Sequence, residues 1–428
     1  MIQQNKRALA ESLLSFIDRS PTAWQAAANL QAHLIENGFS RYDHGTELKP
    51  GDRRFVVNGG TAVFAFVIGD KPLQHGFRMV GAHNDAPALV VKPNSVMVGE
   101  GCIRLNTEVY GGPILNTWFD RPLSLAGRVV LSGEDPLNPE TRLVNLQKPL
   151  VVIPNAAIHM NRTVNEGSKI EPQKMLLPVL GLAGPDPDNL LEKILADALA
   201  VDRQSIVDYD LFLYENTPGT ILGLQDELIL APRLDNLGLS YAAVVSLAAS
   251  VPQVGISLAA CFDHEEVGSH TRQGAHSMYL RDLLEQIVLS LGGSRLDFLG
   301  SLDRSFLISA DQAHAVHPNF SEYADATNKP RINGGPVIKR AANRSYTSDA
   351  DTIAVFKALC RQADVPCQTF VNRSDLRGGS TIGPIFSQNL PVRAVDVGNP
   401  IWAMHSIRET GGVDDHAAML AVLTSFFT

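Results

Sequence analysis

Five short apolar runs, each closing on polar or ionisable residues, constrain the fold of this 428-residue chain more than any other feature. They are TAVFAFVIG (61–69), GFRMVGAHND (76–85), VGISLAACFDHEE (254–266), RSFLISAD (304–311) and PVRAVDVG (391–398). Stretches of helical period, such as NLGLSYAAVVSLAAS (236–250) and HSMYLRDLLEQIVLSLG (276–292), fall among them. Strands apolar on both faces and alternating with helices predict an α/β fold: a central, mostly parallel sheet covered on each side. In such sheets ligands gather where the carboxyl ends of strands meet the following loops.

Between about residues 95 and 230 the texture changes. Short strand-like pieces (LAGRVVLSG, KPLVVIPNAAIHM, VDYDLFLYE) alternate with turn residues such as GPDPDN (184–189), and LLEKILADALA (190–200) is the one clear helical piece. The expected organisation is therefore a discontinuous α/β domain, 1–94 with 231–428, interrupted by a β-rich insertion, 95–230. Leu9, Leu13, Leu14 and Phe16, then Trp24, Ala28, Leu30 and Leu34, predict two amphipathic N-terminal helices broken at Ser20-Pro21.

No run approaches the roughly 18 apolar residues of a membrane span, and the N-terminus has no signal-like apolar core. A net charge of −9, from 36 basic and 45 acidic residues, argues against nucleic-acid binding through a basic field. Cys102, Cys261, Cys360 and Cys367 form no CxxC motif or disulfide framework, which fits a reducing cytoplasm.

The residues just past the candidate strands are chemically consistent. His83 is followed two residues later by Asp85, a carboxylate suited to orienting an imidazole ligand. Asp235 follows LILAP, Glu265 and Glu266 follow ISLAACF, Asp311 follows SFLIS with His314 and His317 beyond, and His405 stands in WAMHSIRE. Taken singly, these read as turn histidines, a helix N-cap aspartate and a solvated acidic turn. Taken together, two histidines and three carboxylates suit two divalent cations sharing one bridging carboxylate. Nitrogen and oxygen donors without thiolate fit zinc, and equally manganese or cobalt. Neighbouring side chains of an extended backbone point to opposite sides, so one of the adjacent glutamates can ligate while the other faces a water as proton acceptor.

GAHNDAPAL, NRTVNEGSK, PRLDNLGLSY, FDHEEVGS, ISADQAHAVHPNF, GGPVIKR, GGSTIGP and AMHSIRE together resemble the aspartyl aminopeptidase and yeast vacuolar aminopeptidase family of dinuclear zinc metallopeptidases. The resemblance covers nearly the whole chain. It implies His83, Asp235, Glu266, Asp311 and His405 as ligands of two zinc ions, with Asp235 bridging. It further implies Glu265 as general base, Asp85 as the support of His83, and Lys339, Tyr346, His314 and Met404 in the substrate pocket. The family fold is a phosphorylase/hydrolase-like catalytic domain interrupted by a β-rich dimerisation domain. Its members assemble as tetrahedral dodecamers of dimers, in which His159 would reach a neighbouring subunit's site.

The expected reaction is removal of the N-terminal residue from peptides. Lys339 suits an acidic first residue by charge, whereas Asn84, Ala86 and the segment RSDLRGGST depart from the family pattern. A dinuclear deacylase or carboxypeptidase, a phosphoesterase and a non-catalytic metal-bearing scaffold are the rival readings.

Overall fold

The computed structural model describes residues 2–167, 169–184, 187–376 and 378–428. Ser168, Pro185, Asp186 and Arg377, members of NRTVNEGSK, GPDPDN and RSDLRGGST, lie outside the described residues. The chain divides into two compact units: Met1–Asp85 with Gly219–Met404 and Glu409–Thr428, and Ala86–Pro218 with His405–Arg408.

The first unit is built on a nine-stranded sheet among the described residues. In spatial order its strands are Ser40–Arg41, Arg53–Asn58, Ala62–Ile68, Ile256–Phe262, Phe77–His83, Phe306–Ala310, Arg393–Gly398, Val337–Lys339 and Gln368–Phe370. The four from Ile256–Phe262 to Arg393–Gly398 are mutually parallel. The sheet as a whole is mixed, because Ala62–Ile68 runs antiparallel to both neighbours and Val337–Lys339 runs antiparallel to Arg393–Gly398. The cause at Ala62–Ile68 is local. Asn58-Gly59-Gly60, with both glycines at positive φ, makes a tight hairpin from Arg53–Asn58, and a hairpin imposes antiparallel pairing.

Side chains of these strands alternate between two cores. Val63, Ala65, Val80, Ala82, Ala259, Cys261, Ile308 and Val395 face one core, shared with Leu13, Ile17 and Leu30 of the two N-terminal helices and with helices Leu234–Ala249 and Val413–Phe427. Phe64, Phe66, Met79, Leu258, Ala260, Phe262 and Leu307 face the other, with helices Tyr279–Ser290, Arg295–Asp303 and Ile382–Asn389. Burying both faces explains why the strands read as unbroken apolar runs. Full burial of each large side chain is worth about 1.5–3 kcal/mol.

LILAP does not join this sheet. Leu228–Ala231 pairs with Thr220–Leu222 and Glu409–Gly412 in a separate three-stranded sheet, so Asp235 does not stand at the end of a main-sheet strand.

Among the described residues, the second unit holds a six-stranded, antiparallel sheet: Glu140–Asn145, Leu123–Leu131, Ile206–Glu215, Ala88–Gly99, Cys102–Tyr110 and Val179–Leu182. Helix Leu190–Leu199 packs Leu191 and Leu195 into its core beside Leu211 and Leu213. KPLVVIPNAAIHM is not a strand as expected; only isolated bridges form, at Val151 and Val152. Pro149 and Pro154 bracket the run, and without N–H groups they deny it a continuous ladder. Among the described residues, no helix is long and apolar enough to cross a membrane.

Candidate metal centre

His83 ends its strand in register with Phe262 of the parallel neighbour. Asn84–Asp85 and Asp263–Glu266 therefore leave the sheet side by side. Asp85 ties them together. Its Oδ1 lies 3.3 Å from His83 Nδ1 and accepts the Glu265 N–H at 3.1 Å, while Oδ2 accepts the Glu266 N–H at 3.1 Å. The Asp85 carbonyl also lies 3.1 Å from His83 Nδ1. Because a carbonyl only accepts, Nδ1 carries a proton, and the neutral ring has its lone pair on Nε2. That nitrogen faces Asp235 Oδ1 at 3.7 Å.

Asp235 is brought in from the head of helix Leu234–Ala249, where its φ of −82° and ψ of 106° depart from helical values. Its N–H donates to Glu409 Oε2 at 2.9 Å, and the Asn236 side chain donates to the Ala310 carbonyl at 2.9 Å. The second bond reaches the strand that delivers Asp311, the next residue along. Glu409 and Asn236 carry no sequence signal of this role, since partners so distant in the chain meet only in the fold.

Ligand-capable atoms of His83, Asp235 and Asp311 lie within 4.8 Å of one another, as do those of His83, Glu265 and Glu266. His83, Asp235 and Asp311 are buried, and the two glutamates are half-buried. Such crowding has electrostatic consequences. Burial, then Asp311, Asp85 and Asp235, push Glu265 up to about 7 against the pull of His83. Asp311 is also raised, by burial first, although Lys339 opposes this. Burial disfavours charge on His83, but Asp85, Glu265 and Asp235 outweigh it and hold its pKa well above the usual imidazole value. A divalent cation suits this nest, because it neutralises clustered carboxylates and takes imidazole in its neutral form. The donor set, imidazole nitrogen and carboxylate oxygen, is one that zinc accepts.

Lys339 is buried beside Asp311. Its Nζ lies 3.7 Å from Asp311 Oδ1, donates to the Gln312 carbonyl at 3.0 Å and stands 5.3 Å from the Tyr346 ring centre. His314 and Tyr346 both pack around Phe370, with ring centres 5.8 and 6.5 Å away. Met404 is half-buried at the end of its segment of the first unit. His405 and His159 belong to the second unit. Within it, His405 Nδ1 lies 3.1 Å from the Gly112 carbonyl, which again places the lone pair on Nε2, and His159 sits in an exposed turn.

The profile of the Aminopeptidase I zinc metalloprotease (M18) family matches residues 16–427. A probable M18 family aminopeptidase 2 from Clostridium novyi (strain NT) is 50% identical over 430 residues, covering 99% of this chain and 99% of the relative. Among solved structures, that of the Ape4 and Nbr1 complex superposes with a TM-score of 0.95 at 35% identity, over 99% of this chain and 86% of that chain. The prApe1 crystal structure gives a TM-score of 0.93 at 26% identity, over 99% and 95%. A match of this length, on a chain whose fold gathers imidazole and carboxylate donors, identifies it as a member of the M18 family of zinc metalloproteases, a hydrolase and metalloaminopeptidase.

Proposed function

We propose that the chain removes the N-terminal residue of peptides at a dinuclear zinc centre. The observation that carries this reading is the convergence of His83, Asp235 and Asp311, and of His83, Glu265 and Glu266, on shared ligand-atom clusters. On this reading His83, Asp235, Glu266, Asp311 and His405 would hold the two ions, with Asp235 the ligand shared between them. When bound, the zinc pair supplies Lewis-acid polarisation of the scissile carbonyl and of the attacking water. Manganese or cobalt would serve with the same donors.

Glu265 is the general base. Its carboxylate shares a ligand-atom cluster with His83 and Glu266, and a carboxylate so placed can take a proton and return it. It accepts the proton of the attacking water and hands it to the leaving amine. Asp85 holds both a proposed ligand and the base, since it contacts the His83 ring and accepts the Glu265 N–H.

Lys339 and Tyr346 form part of the substrate pocket, with His314 and Met404 beside them. The Lys339 cation favours an acidic first residue. The unit comprising the nine-stranded sheet is the catalytic domain, and the antiparallel unit is the dimerisation domain of a dodecamer built from dimers. His159, exposed in that second unit, stabilises the developing oxyanion in a neighbouring subunit's site. A cytoplasmic location belongs to the same reading.

The test is a panel of aminoacyl fluorogenic peptides with and without N-acetylation, assayed with zinc, manganese or cobalt and with a chelator control. Turnover confined to free-amine substrates and abolished by the chelator is expected. Cleavage of the acetylated set at comparable rates would refute the aminopeptidase reading.

A further inference from the structure

Two of the proposed ligands, Asp235 and Asp311, come from different elements, the head of helix Leu234–Ala249 and the end of strand Phe306–Ala310, and Gln312 spans the gap between them. Gln312 directly follows Asp311 and is buried. Its Nε2 donates to the Leu234 carbonyl at 2.8 Å, one residue before Asp235. Its Oε1 accepts the Asn399 N–H at 3.2 Å, and its own carbonyl accepts from Lys339 Nζ. The side chain is thus held at both ends, with its donor half gripping the irregular entry to helix Leu234–Ala249. Gly238 makes room for it, because a Cβ there would stand 2.8 Å from Gln312 Nε2.

We propose that Gln312 is a positioning residue that sets the spacing between Asp235 and Asp311, and through it the zinc affinity of the site they share. The proposal rests on reading those two carboxylates as ligands. A leucine or methionine would fill the same volume, so packing alone does not call for an amide. What the amide adds is one donor, aimed at the helix entry that carries Asp235, and one acceptor, taken by the Asn399 N–H just past Arg393–Gly398, the strand beside the one that delivers Asp311. Buried polar bonds of this kind fix geometry because leaving their partners unsatisfied is costly.

The test uses the full chain with Gln312→Met, which keeps the volume and removes both bonds, and Gly238→Ala, which displaces the amide without changing it. Alanine is a good helix former, so the second variant remains informative where the first fails to fold. Zinc affinity is measured by competition against a chromogenic chelator, alongside the melting temperature of the zinc-stripped proteins. Both variants are expected to lose about 10–100-fold in affinity, the range for residues that orient metal ligands. Their stripped forms should stay folded and melt a few degrees below wild type, because the Leu234 carbonyl and the Asn399 N–H lose their partner. Affinity within twofold of wild type in either folded variant overturns the proposal alone. A wild-type protein that takes up no zinc overturns the proposal together with the ligand reading beneath it.

Discussion

Replacing Asp85 by alanine removes three interactions at once: the contact with His83 Nδ1 and the acceptors of the Glu265 and Glu266 N–H groups. Loss of the carboxylate that orients an imidazole ligand typically costs 10–100-fold in metal affinity, or about 1.4–2.7 kcal/mol. A buried N–H left without an acceptor costs about 1–3 kcal/mol. Both glutamates are half-buried, so water recovers part of that loss, and about 2 kcal/mol is expected for the pair together. Asp85→Asn should fall between wild type and alanine, because a carboxamide offers one acceptor where two N–H groups converge. Chelator competition measures the zinc term, and urea unfolding of the zinc-stripped proteins measures the stability term. An alanine variant that binds zinc within twofold of wild type would show that Asp85 does not organise the centre.

Glu265→Gln should retain near-normal zinc content while kcat falls by about 10²–10⁴, the usual contribution of a general base; plasma-emission metal analysis beside steady-state kinetics checks both. Lys339→Met should lower kcat/KM for aspartyl and glutamyl substrates by about tenfold relative to leucyl ones, one unit of pKa-scale interaction energy, and an unchanged ratio would remove Lys339 from specificity. Mixing subunits that lack His159 with subunits that lack Glu265 should regenerate activity, since one mixed site is whole; no recovery after verified subunit exchange counts against action in trans. His416 is buried against Tyr241, with neither ring nitrogen hydrogen-bonded among the described residues. Burial lowers its pKa to about 4, so between pH 6.5 and 4 the unfolded chain takes a proton that the fold refuses, and stability falls as pH drops. Relative to His416→Phe, the zinc-stripped wild type should lose about 2 kcal/mol between pH 7 and 5 in urea unfolding; parallel pH curves would exclude this.

The parts of the fold that the sequence revealed are those fixed by local physics. The helical patterns at 236–250 and 276–292 appear as Leu234–Ala249 and Tyr279–Ser290; the second carries a one-sided apolar stripe, whereas the first is apolar and buried nearly all round. The apolar runs at 76–85, 254–266 and 304–311 were legible as strands because both faces are buried. Strand direction was not, since an apolar run carries no arrow, and the hairpin at Asn58-Gly59-Gly60 decided it for Ala62–Ile68. KPLVVIPNAAIHM reads as a strand by apolar content, but its two prolines leave only isolated bridges.

The centre divides the same way. His83, Asp85, Glu265, Glu266 and Asp311 announce themselves because each directly follows an apolar run, so chain position and spatial position coincide. Asp235 carries a similar cue for a different reason: its preceding strand belongs to another sheet, and the residue arrives through an irregular helix entry. Glu409 stands 174 positions away in the chain and reaches the Asp235 N–H through its side chain. Gln312 lies 78 positions from the Leu234 carbonyl it holds. Neither has a local pattern, because backbone hydrogen bonds made by distant side chains impose no periodicity on the sequence. The residues of the proposed ligand set therefore leave a clearer mark in the sequence than those that would hold them in place. The measurable consequence lies in the second class, where Gln312→Met and Asp85→Ala should each weaken zinc binding without removing a single ligand atom.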